Sequence, residues 1–211
     1  MNCRRITASL FLGLAVAGCT SVETATREAP LEAPAISPEQ VSFDVKEIRV
    51  SVPKTLKVSE ANRYYPGGDI VWREDPIGDR HAQVKAIVEA GLQEGVDNMG
   101  AGQVPVILDV QVTRFHALTE KARYTTGGVH AIQFHMLLRD AKTGQPIGEP
   151  EHVKADFRGL GGRKAIDAEN RGITQKYRIT KQLAYVIQKE LTSDEGYVAQ
   201  DLGLFGALNQ L

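Results

Sequence analysis

Residues 1–18 are the feature that most constrains the fold, because their pattern is that of a segment removed from the folded domain. Arg4 and Arg5 precede an apolar stretch over residues 6–17, and small residues lead up to Cys19. The apolar stretch is too short to cross a bilayer as a stable helix. A basic start, a short apolar run and small residues before a cleavage point are typical of an export signal. The folded part of the chain is therefore expected after Cys19.

The four residues Val16-Ala17-Gly18-Cys19 resemble the lipobox of bacterial lipoproteins. The resemblance implies that a signal peptidase cuts before Cys19, and that acyl chains on this cysteine hold the protein on membrane lipid. Thr20 stands where enterobacterial lipoproteins of the inner membrane have an aspartate. We therefore expect the inner leaflet of the outer membrane, facing the periplasm. The alternative is an ordinary secretory signal followed by a chance cysteine.

Charge and cysteine content exclude several functions. The full sequence has 25 basic and 26 acidic side chains, and removing residues 1–18 takes away only Arg4 and Arg5, which leaves a formal charge of −3. Nucleic acid is therefore not an expected partner, because its binding requires a clustered basic surface. Cys3 leaves with the signal and Cys19 is expected to be acylated, so no thiol remains for a disulfide, a metal or a nucleophile.

One domain with a tether is the expected organisation, since roughly 190 residues remain after the signal. Residues 19–38 carry three prolines and few apolar residues, which predicts a flexible linker behind the lipidated cysteine. An α+β domain is expected over residues 39–192. Residues 193–211 form a C-terminal tail with a weakly amphipathic pattern.

The first strand pattern changes phase in its middle. Phe43 and Val45 alternate in one phase, and apolar residues from Ile48 onward alternate in the other. A phase slip at Lys46-Glu47 predicts either a strand with a β-bulge or two short strands. A very short strand is also predicted at residues 70–72.

The first helix is predicted to begin at Asp75, as the N-cap residue, with Pro76 in the first turn. Apolar residues then recur at helical spacing, and Gly95 or Gly100 is expected to end the helix. These apolar positions are Ile77, His81, Val84, Ile87 or Val88, and Leu92.

Three alternating patterns follow, over about residues 104–115, 132–138 and 146–157. Asp140–Gly144 predicts a hairpin turn with positive φ at Gly144. A last helix is predicted near residues 173–191, with Ile166 in the same helix or in a preceding turn and Gly172 as a candidate break. Its apolar stripe comprises Ile173, Tyr177, Thr180, Leu183, Ala184, Ile187 and Leu191. The predicted fold is α+β: an antiparallel sheet of about four strands with two helices packed on one face.

Two sets of residues resemble known families. Residues 69–76, with Trp72 and Pro76, followed by a helix, resemble the strand–tryptophan–helix entry of auxiliary lipoproteins of ABC-type transport systems. Residues 115–124, Gly127 to His130 and Gly161-Gly162 resemble an uncharacterised lipoprotein family of marine-type Alphaproteobacteria. These resemblances imply a role in the cell envelope and indicate no particular chemistry.

The histidines of the central hairpin suggest an alternative function. His116, His130, His135 and His152 all lie in this region, and antiparallel strands could bring His116 and His130 together. Their spacing is not that of a metal site and no cysteine supports them, so surface or hydrogen-bonded histidines are the default. No metal or cofactor is expected.

Two glycine-rich segments, residues 125–128 and 159–162, raise the question of a phosphate site. The first lacks the lysine and the following helix of a P-loop, so it is interpreted as a loop. The second precedes a helix whose N-terminus could hold an anion, but a flexible junction explains the same glycines.

Five residues are candidate contacts for a partner or ligand: Trp72, His116, Arg123, Tyr124 and His130. Trp72 is expected in the core, with stacking in an exposed groove as the alternative. Arg123 and Tyr124 belong to residue types enriched in binding hot spots, although a solvated loop is the default interpretation. No serine, acid pair or cysteine has the context of a catalytic site.

The sequence therefore predicts a non-enzymatic lipoprotein. We expect an accessory or partner-binding component of envelope assembly or transport, anchored through Cys19 and contacting another envelope protein. The alternative is a lipoprotein that binds a small ligand or a metal through the histidine-bearing hairpin.

Overall fold

A computed structural model describes residues 41–203. The predicted signal, Cys19, the linker up to residue 38 and the last eight residues of the tail lie outside the described residues. Within the described range no helix is both long enough and apolar enough to cross a membrane.

The described residues form a six-stranded sheet, with helices between its strands and after the last of them. The strands are β1 Phe43–Ser51, β2 Ile70–Val71, β3 Val104–His116, β4 Gly128–Asp140, β5 Pro146–Lys154 and β6 Phe157–Gly159. The helices are α1 Arg80–Asp97, α2 Glu120–Arg123, α3 Arg163–Glu169 and α4 Gln175–Thr192. The α+β class is confirmed.

The strand order is β1-β3-β4-β5, with β2 paired beside β3 and β6 beside β4. Pairs β3–β4, β4–β5 and β4–β6 are antiparallel. Strands β1 and β2 run parallel to β3, so the prediction of a wholly antiparallel sheet is wrong at this edge. The sheet also has six strands where about four were expected. The reason is the helix between β1 and β3: α1 carries the chain back along the sheet, and a strand that follows such a crossover runs parallel to the first.

The phase slip in β1 is a β-bulge, as predicted. Val45 pairs with Val106 and Glu47 with Ile107, so one residue of β1 has no counterpart on β3. The predicted turn after β4 is also confirmed. Gly144 has φ +71°, and Asp140 Oδ1 accepts hydrogen bonds from the backbone of Lys142 and Thr143.

Helix α1 begins later than predicted. Its N-cap is Asp79, whose side chain accepts from the backbone N–H groups of His81 and Ala82. Asp75 cannot cap it, because the Asp75 carboxylate accepts from Trp72 Nε1 at 2.8 Å and from Lys176. Ile77 therefore lies outside the helix and is exposed.

Gly95 does not end α1 but lies within it. The helix needs glycine there because α4 packs against this point. A β-carbon on Gly95 would lie 2.6 Å from the backbone oxygen of Ala184. Gly91, one turn earlier, is equally close, since its β-carbon would lie 2.7 Å from Leu183 Cβ.

Helices α1 and α4 share a single core cluster with one face of the sheet. The α4 residues buried there are Ile179, Leu183, Val186, Ile187 and Leu191. The predicted stripe is therefore wrong at Tyr177, which is half exposed, and at Ile173, which precedes α4 and is only partly buried. The preceding turn is a separate helix, α3, and Gly172 with φ +76° separates it from α4.

Candidate functional site

The loops at one end of the sheet gather into a single polar assembly. Thr119 Oγ1 donates to the backbone oxygen of Arg63 at 2.8 Å, and Asn62 accepts from Lys121 N at 2.8 Å. Gly162 N donates to the backbone oxygen of Arg123 at 2.9 Å. These bonds join the segments before β2, after β3 and before α3. All five residues predicted as candidate contacts lie in this region, which we call the loop end.

Most of those five residues are buried. Trp72, His116, Arg123 and His130 are each at most 8% exposed, whereas Tyr124 is 45% exposed. The structure thus assigns the first four to the interior of the loop end. Tyr124 is the member of the set that solvent and a partner can reach.

Arg123 holds the loop end together from within. Its guanidinium pairs with Glu169 of α3 and lies 3.6 Å from Glu74 Oε1. Glu74 also accepts from the backbone N–H groups of Gln175 at 3.2 Å and Lys176 at 2.6 Å. A carboxylate at a helix N-terminus satisfies free donors and interacts favourably with the helix dipole. Arg123 and Glu74 therefore connect the loop after β3 to the start of α4.

A second set of ion pairs lies beside the first. Arg73 Nε donates to Glu120 at 2.6 Å, and Arg80 Nε donates to Glu60 at 2.7 Å. The hydrogen bond from Arg80 lowers the pKa of Glu60. Burial alone would raise the pKa of Glu120, but the hydrogen bond from Arg73 lowers it below the usual value. Both carboxylates thus stay ionised beside their arginines.

The two glycine-rich segments pack against each other by their backbones. A β-carbon on Gly161 would lie 2.6 Å from Gly127 Cα, and Gly127 has φ +74°. Contact this close admits glycine and little else, because any side chain would overlap the opposite backbone. The packing explains both glycine clusters without a bound phosphate.

His130 is fully buried beneath these segments. Its ring lies 4.8 Å from that of Phe157, and its Nδ1 has no hydrogen-bond partner among residues 41–203. Burial lowers the pKa of His130 to about 3, and the charges of Arg178 and Arg123 add to the effect. A cavity of about 10 Å³ beside it, lined also by Arg123 and Gln175, has room for about one water molecule.

His116 and His130 do not meet, contrary to the expectation that the strands could bring them together. His116 lies opposite Ala131 in the β3–β4 pair, and neighbours along a strand point to opposite faces. His116 Nε2 instead donates to the backbone oxygen of Gly68 at 2.7 Å. Burial and the charge of Arg114 lower the pKa of His116 to about 4, so both histidines are neutral at physiological pH.

Trp72 packs edge-on against Phe115, with ring centres 5.9 Å apart. Its indole N–H donates to Asp75, whose carboxylate also accepts from Lys176. The large ring is thus buried with its single donor satisfied. The exposed groove considered as the alternative for Trp72 is not seen.

The exposed part of the loop end is rich in tyrosine. Tyr64, Tyr65 and Tyr124 are 44%, 67% and 45% exposed. The Tyr64 hydroxyl accepts a hydrogen bond from Thr125 Oγ1 at 3.2 Å. Lys121 Nζ lies 5.0 Å from the centre of the Tyr64 ring. The Tyr124 hydroxyl donates to Glu169 at 3.2 Å. We call Tyr64, Tyr65, Tyr124 and Lys121 the tyrosine patch.

Sequence reasoning identified Tyr124 of this patch and missed Tyr64 and Tyr65. The pattern Tyr64-Tyr65-Pro66-Gly67-Gly68 is typical of a turn, and a turn pattern does not by itself indicate a contact surface. The sequence signal that could have identified them is the residue type, because two adjacent tyrosines in a polar loop point to a contact surface. Their distance from Tyr124 in the chain concealed the common surface.

The sheet face opposite the two long helices has a groove of about 370 Å³. Its polar lining comprises Arg49, Ser51, Asp109, Gln111, His135 and Arg139. Arg139 Nε pairs with Asp109 at 2.5 Å. Next to it, His135 of β4 lies opposite His152 of β5. No group of three or more histidine, cysteine, aspartate or glutamate residues within 41–203 is arranged to hold a metal ion.

Residues 43–207 match a family of unknown function, DUF6778. The match spans most of the chain, and the protein belongs to this family. It covers the whole sheet and all the helices described above. The match confirms the expectation that the chain belongs to a family without an assigned function. No protein with a curated description matches the chain.

The chain is partly similar to two solved structures that are described as bacterial lipoproteins. A "putative lipoprotein" from Caulobacter crescentus CB15 is 17% identical, with a TM-score of 0.32 over 52% of this chain and 80% of that one. A minor lipoprotein from Acinetobacter baumannii is 13% identical, with a TM-score of 0.35 over 72% and 95% of the two chains. At TM-scores this low no functional conclusion follows from the similarity.

Proposed function

We propose that the protein is a lipid-anchored component of the bacterial cell envelope that acts by binding another envelope protein through the tyrosine patch. In this proposal Cys19 carries the acyl chains and residues 20–38 are the tether. The domain faces the periplasm from the outer membrane, and it performs no catalysis of its own. The resemblance to auxiliary lipoproteins of ABC-type transport systems favours a role in envelope assembly or transport.

The observation that carries this proposal is the exposure of three tyrosines at the loop end, where the Tyr64 hydroxyl contacts Thr125 next to Tyr124. Tyrosine is enriched in binding hot spots, because its ring buries a large area at small entropic cost and its hydroxyl still forms hydrogen bonds. Tyr65 is 67% exposed, and no hydrogen bond of its side chain occurs among those described. Burial of this ring against a partner would therefore remove apolar surface from water that the domain itself leaves exposed.

The buried ion pairs beneath the patch support the same function. Arg123 is fixed by Glu74 and Glu169, and Glu169 in turn accepts from the Tyr124 hydroxyl. This chain of contacts holds the Tyr124 ring in one place before any partner arrives. A preorganised surface loses less conformational entropy on binding than a mobile one. Arg123 therefore positions the contact surface to which Tyr124 belongs.

Crosslinking in intact cells, followed by capture of the native lipoprotein, tests the patch. The variants are Tyr65→Ala and Tyr64→Ala, with Tyr177→Ala as the matched control on α4, where the ring is 48% exposed. Loss of a hot-spot residue costs about 2 kcal/mol or more, so the amount of crosslinked partner should fall about 30-fold for Tyr65→Ala. The control should retain the partner. Equal capture by all three variants would exclude the patch.

Mass spectrometry of the native protein tests the anchor separately. The expected N-terminal peptide begins at acylated Cys19, and Cys19→Ala should release the protein from the membrane. An intact Met1 in the mature protein would overturn the lipoprotein assignment and leave the binding surface to be judged by the crosslinking experiment.

A further inference from the structure

Two exposed imidazoles face each other on the open side of the hairpin. His135 of β4 and His152 of β5 are directly opposite in the strand register, and residues paired in this way project to the same face. Their ring centres lie 4.9 Å apart, with an angle of 45° between the ring planes. Both side chains are exposed to solvent.

This separation is one that a shared metal ion can span. Histidine nitrogens bind Zn²⁺ at about 2.0–2.1 Å, which places the centres of two rings on one ion about 4.5–5 Å apart for angles between square and tetrahedral. The observed 4.9 Å lies within that range. The two strands hold both backbones at fixed spacing, so only side-chain torsions need to adjust.

The groups around the pair include a neutral oxygen donor and charges of both signs. Gln111 of β3 lies opposite His135 on the other side and offers an amide oxygen to the same row. Lys154 is two residues along β5 from His152, and Asp156 is the acidic group that faces this end of the hairpin. The Asp156 carboxylate already accepts from Ile132 N and Gln133 Nε2.

We propose that His135 and His152 form a two-imidazole site for a divalent first-row transition metal ion, with the remaining coordination positions open to water or to an outside ligand. Cu²⁺ is expected to bind more tightly than Ni²⁺ or Zn²⁺, in the order general for nitrogen ligands. This inference is independent of the tyrosine patch, which lies at the loop end.

The competing interpretation is an aromatic cross-strand pair that merely stabilises the sheet, as such pairs do. A metal titration distinguishes these two interpretations, because a pair that only packs is not expected to bind a metal ion. The full, untagged lipoprotein in detergent is titrated with Cu²⁺ by calorimetry and by electron paramagnetic resonance. The variants are His135→Gln and His152→Gln. His81→Gln is the control, since His81 lies on α1 and contacts the backbone oxygen of Leu56.

The expected result is one Cu²⁺ per chain, with a spectrum that shows two nitrogen ligands. Loss of either imidazole removes the chelate and should weaken binding by about 10²-fold, whereas His81→Gln should bind as the wild type does. Circular dichroism checks that the variants are folded. A spectrum without two nitrogens, or affinity in His135→Gln within about threefold of wild type, would overturn the proposal.

Discussion

Gly95 of α1 and Ala184 of α4 approach so closely that a β-carbon on Gly95 would lie 2.6 Å from the Ala184 backbone oxygen. The two long helices therefore pack with almost no side chain between them at this point. Their closeness allows Ile187 and Leu191 of α4 to reach the common core from the same side as Val88 and Leu92 of α1. The spacing of the helices depends on two glycines, Gly91 and Gly95.

Gly95→Ala is expected to destabilise the protein, although alanine is the better helix former by about 1 kcal/mol. The added methyl group overlaps backbone, which cannot rotate away, so the helices must separate and the core loosens. We expect a net loss of about 1–3 kcal/mol in the free energy of unfolding, measured in urea. A more stable variant would show that helix propensity outweighs the close packing.

Glu74→Ala is expected to cost about 1–3 kcal/mol, because it leaves the N–H groups of Gln175 and Lys176 without their acceptor at the start of α4. The matched control is Glu89→Ala, which removes a surface pair with Lys85 and should change stability by about 0.5 kcal/mol or less. Urea unfolding measures both. Equal midpoints for the two variants would contradict the bridging role of Glu74.

Leu183→Ala and Ile187→Ala should each cost about 2–5 kcal/mol through lost burial and the cavity left behind. Both side chains are fully buried. Lys189→Ala, on the exposed side of α4, is the control and should change stability by about 0.5 kcal/mol or less. Gln182 does not serve as a control, because its side chain donates to the Tyr197 hydroxyl at 3.1 Å. Near-equal unfolding midpoints would mean that α4 is not the core helix.

Acid should destabilise the domain before most carboxylates titrate. The pKa values of His130 and His116 are about 3 and about 4 in the folded protein, against about 6.5 in an unfolded chain. Between about pH 6.5 and pH 4 the unfolded chain thus binds more protons. The free energy of unfolding should fall as the pH drops through this window, by up to about 1.4 kcal/mol per pH unit for each histidine.

Urea unfolding across this pH window measures the effect. His116→Gln removes one of the two groups and should reduce the slope by about half, once its own loss of stability at neutral pH is subtracted. A flat profile in the wild type would show that both histidines titrate normally in the folded protein.

The sequence predicted those features that depend on local pattern. Alternation located β1, β3, β4 and β5, and the phase slip at Lys46-Glu47 located the bulge, because each reports which side of a strand is buried. The turn at Gly144 follows from the conformational freedom of glycine. The helical period located both long helices, although it placed Tyr177 in the core when Ile179 is there.

Local pattern was insufficient where two equivalent signals competed. Asp75 and Asp79 both precede the first helix, and the Pro76 that follows Asp75 favours Asp75 as the N-cap in the sequence. Trp72 and Lys176 bind the Asp75 carboxylate instead, and Lys176 is 101 residues away. The direction of β1 was equally hidden, since apolar alternation is the same in a parallel and an antiparallel strand.

The candidate site shows the same division. Residue type alone singled out Arg123, Tyr124 and the hairpin histidines as chemically capable groups. Only the tertiary structure decided which of them are reachable: Arg123 and His130 are enclosed, Tyr124 joins Tyr64 and Tyr65, and His135 meets His152 rather than His116 meeting His130. Burial and pairing arise from strand register and from contacts between loops far apart in the chain, and no local sequence pattern encodes those distances.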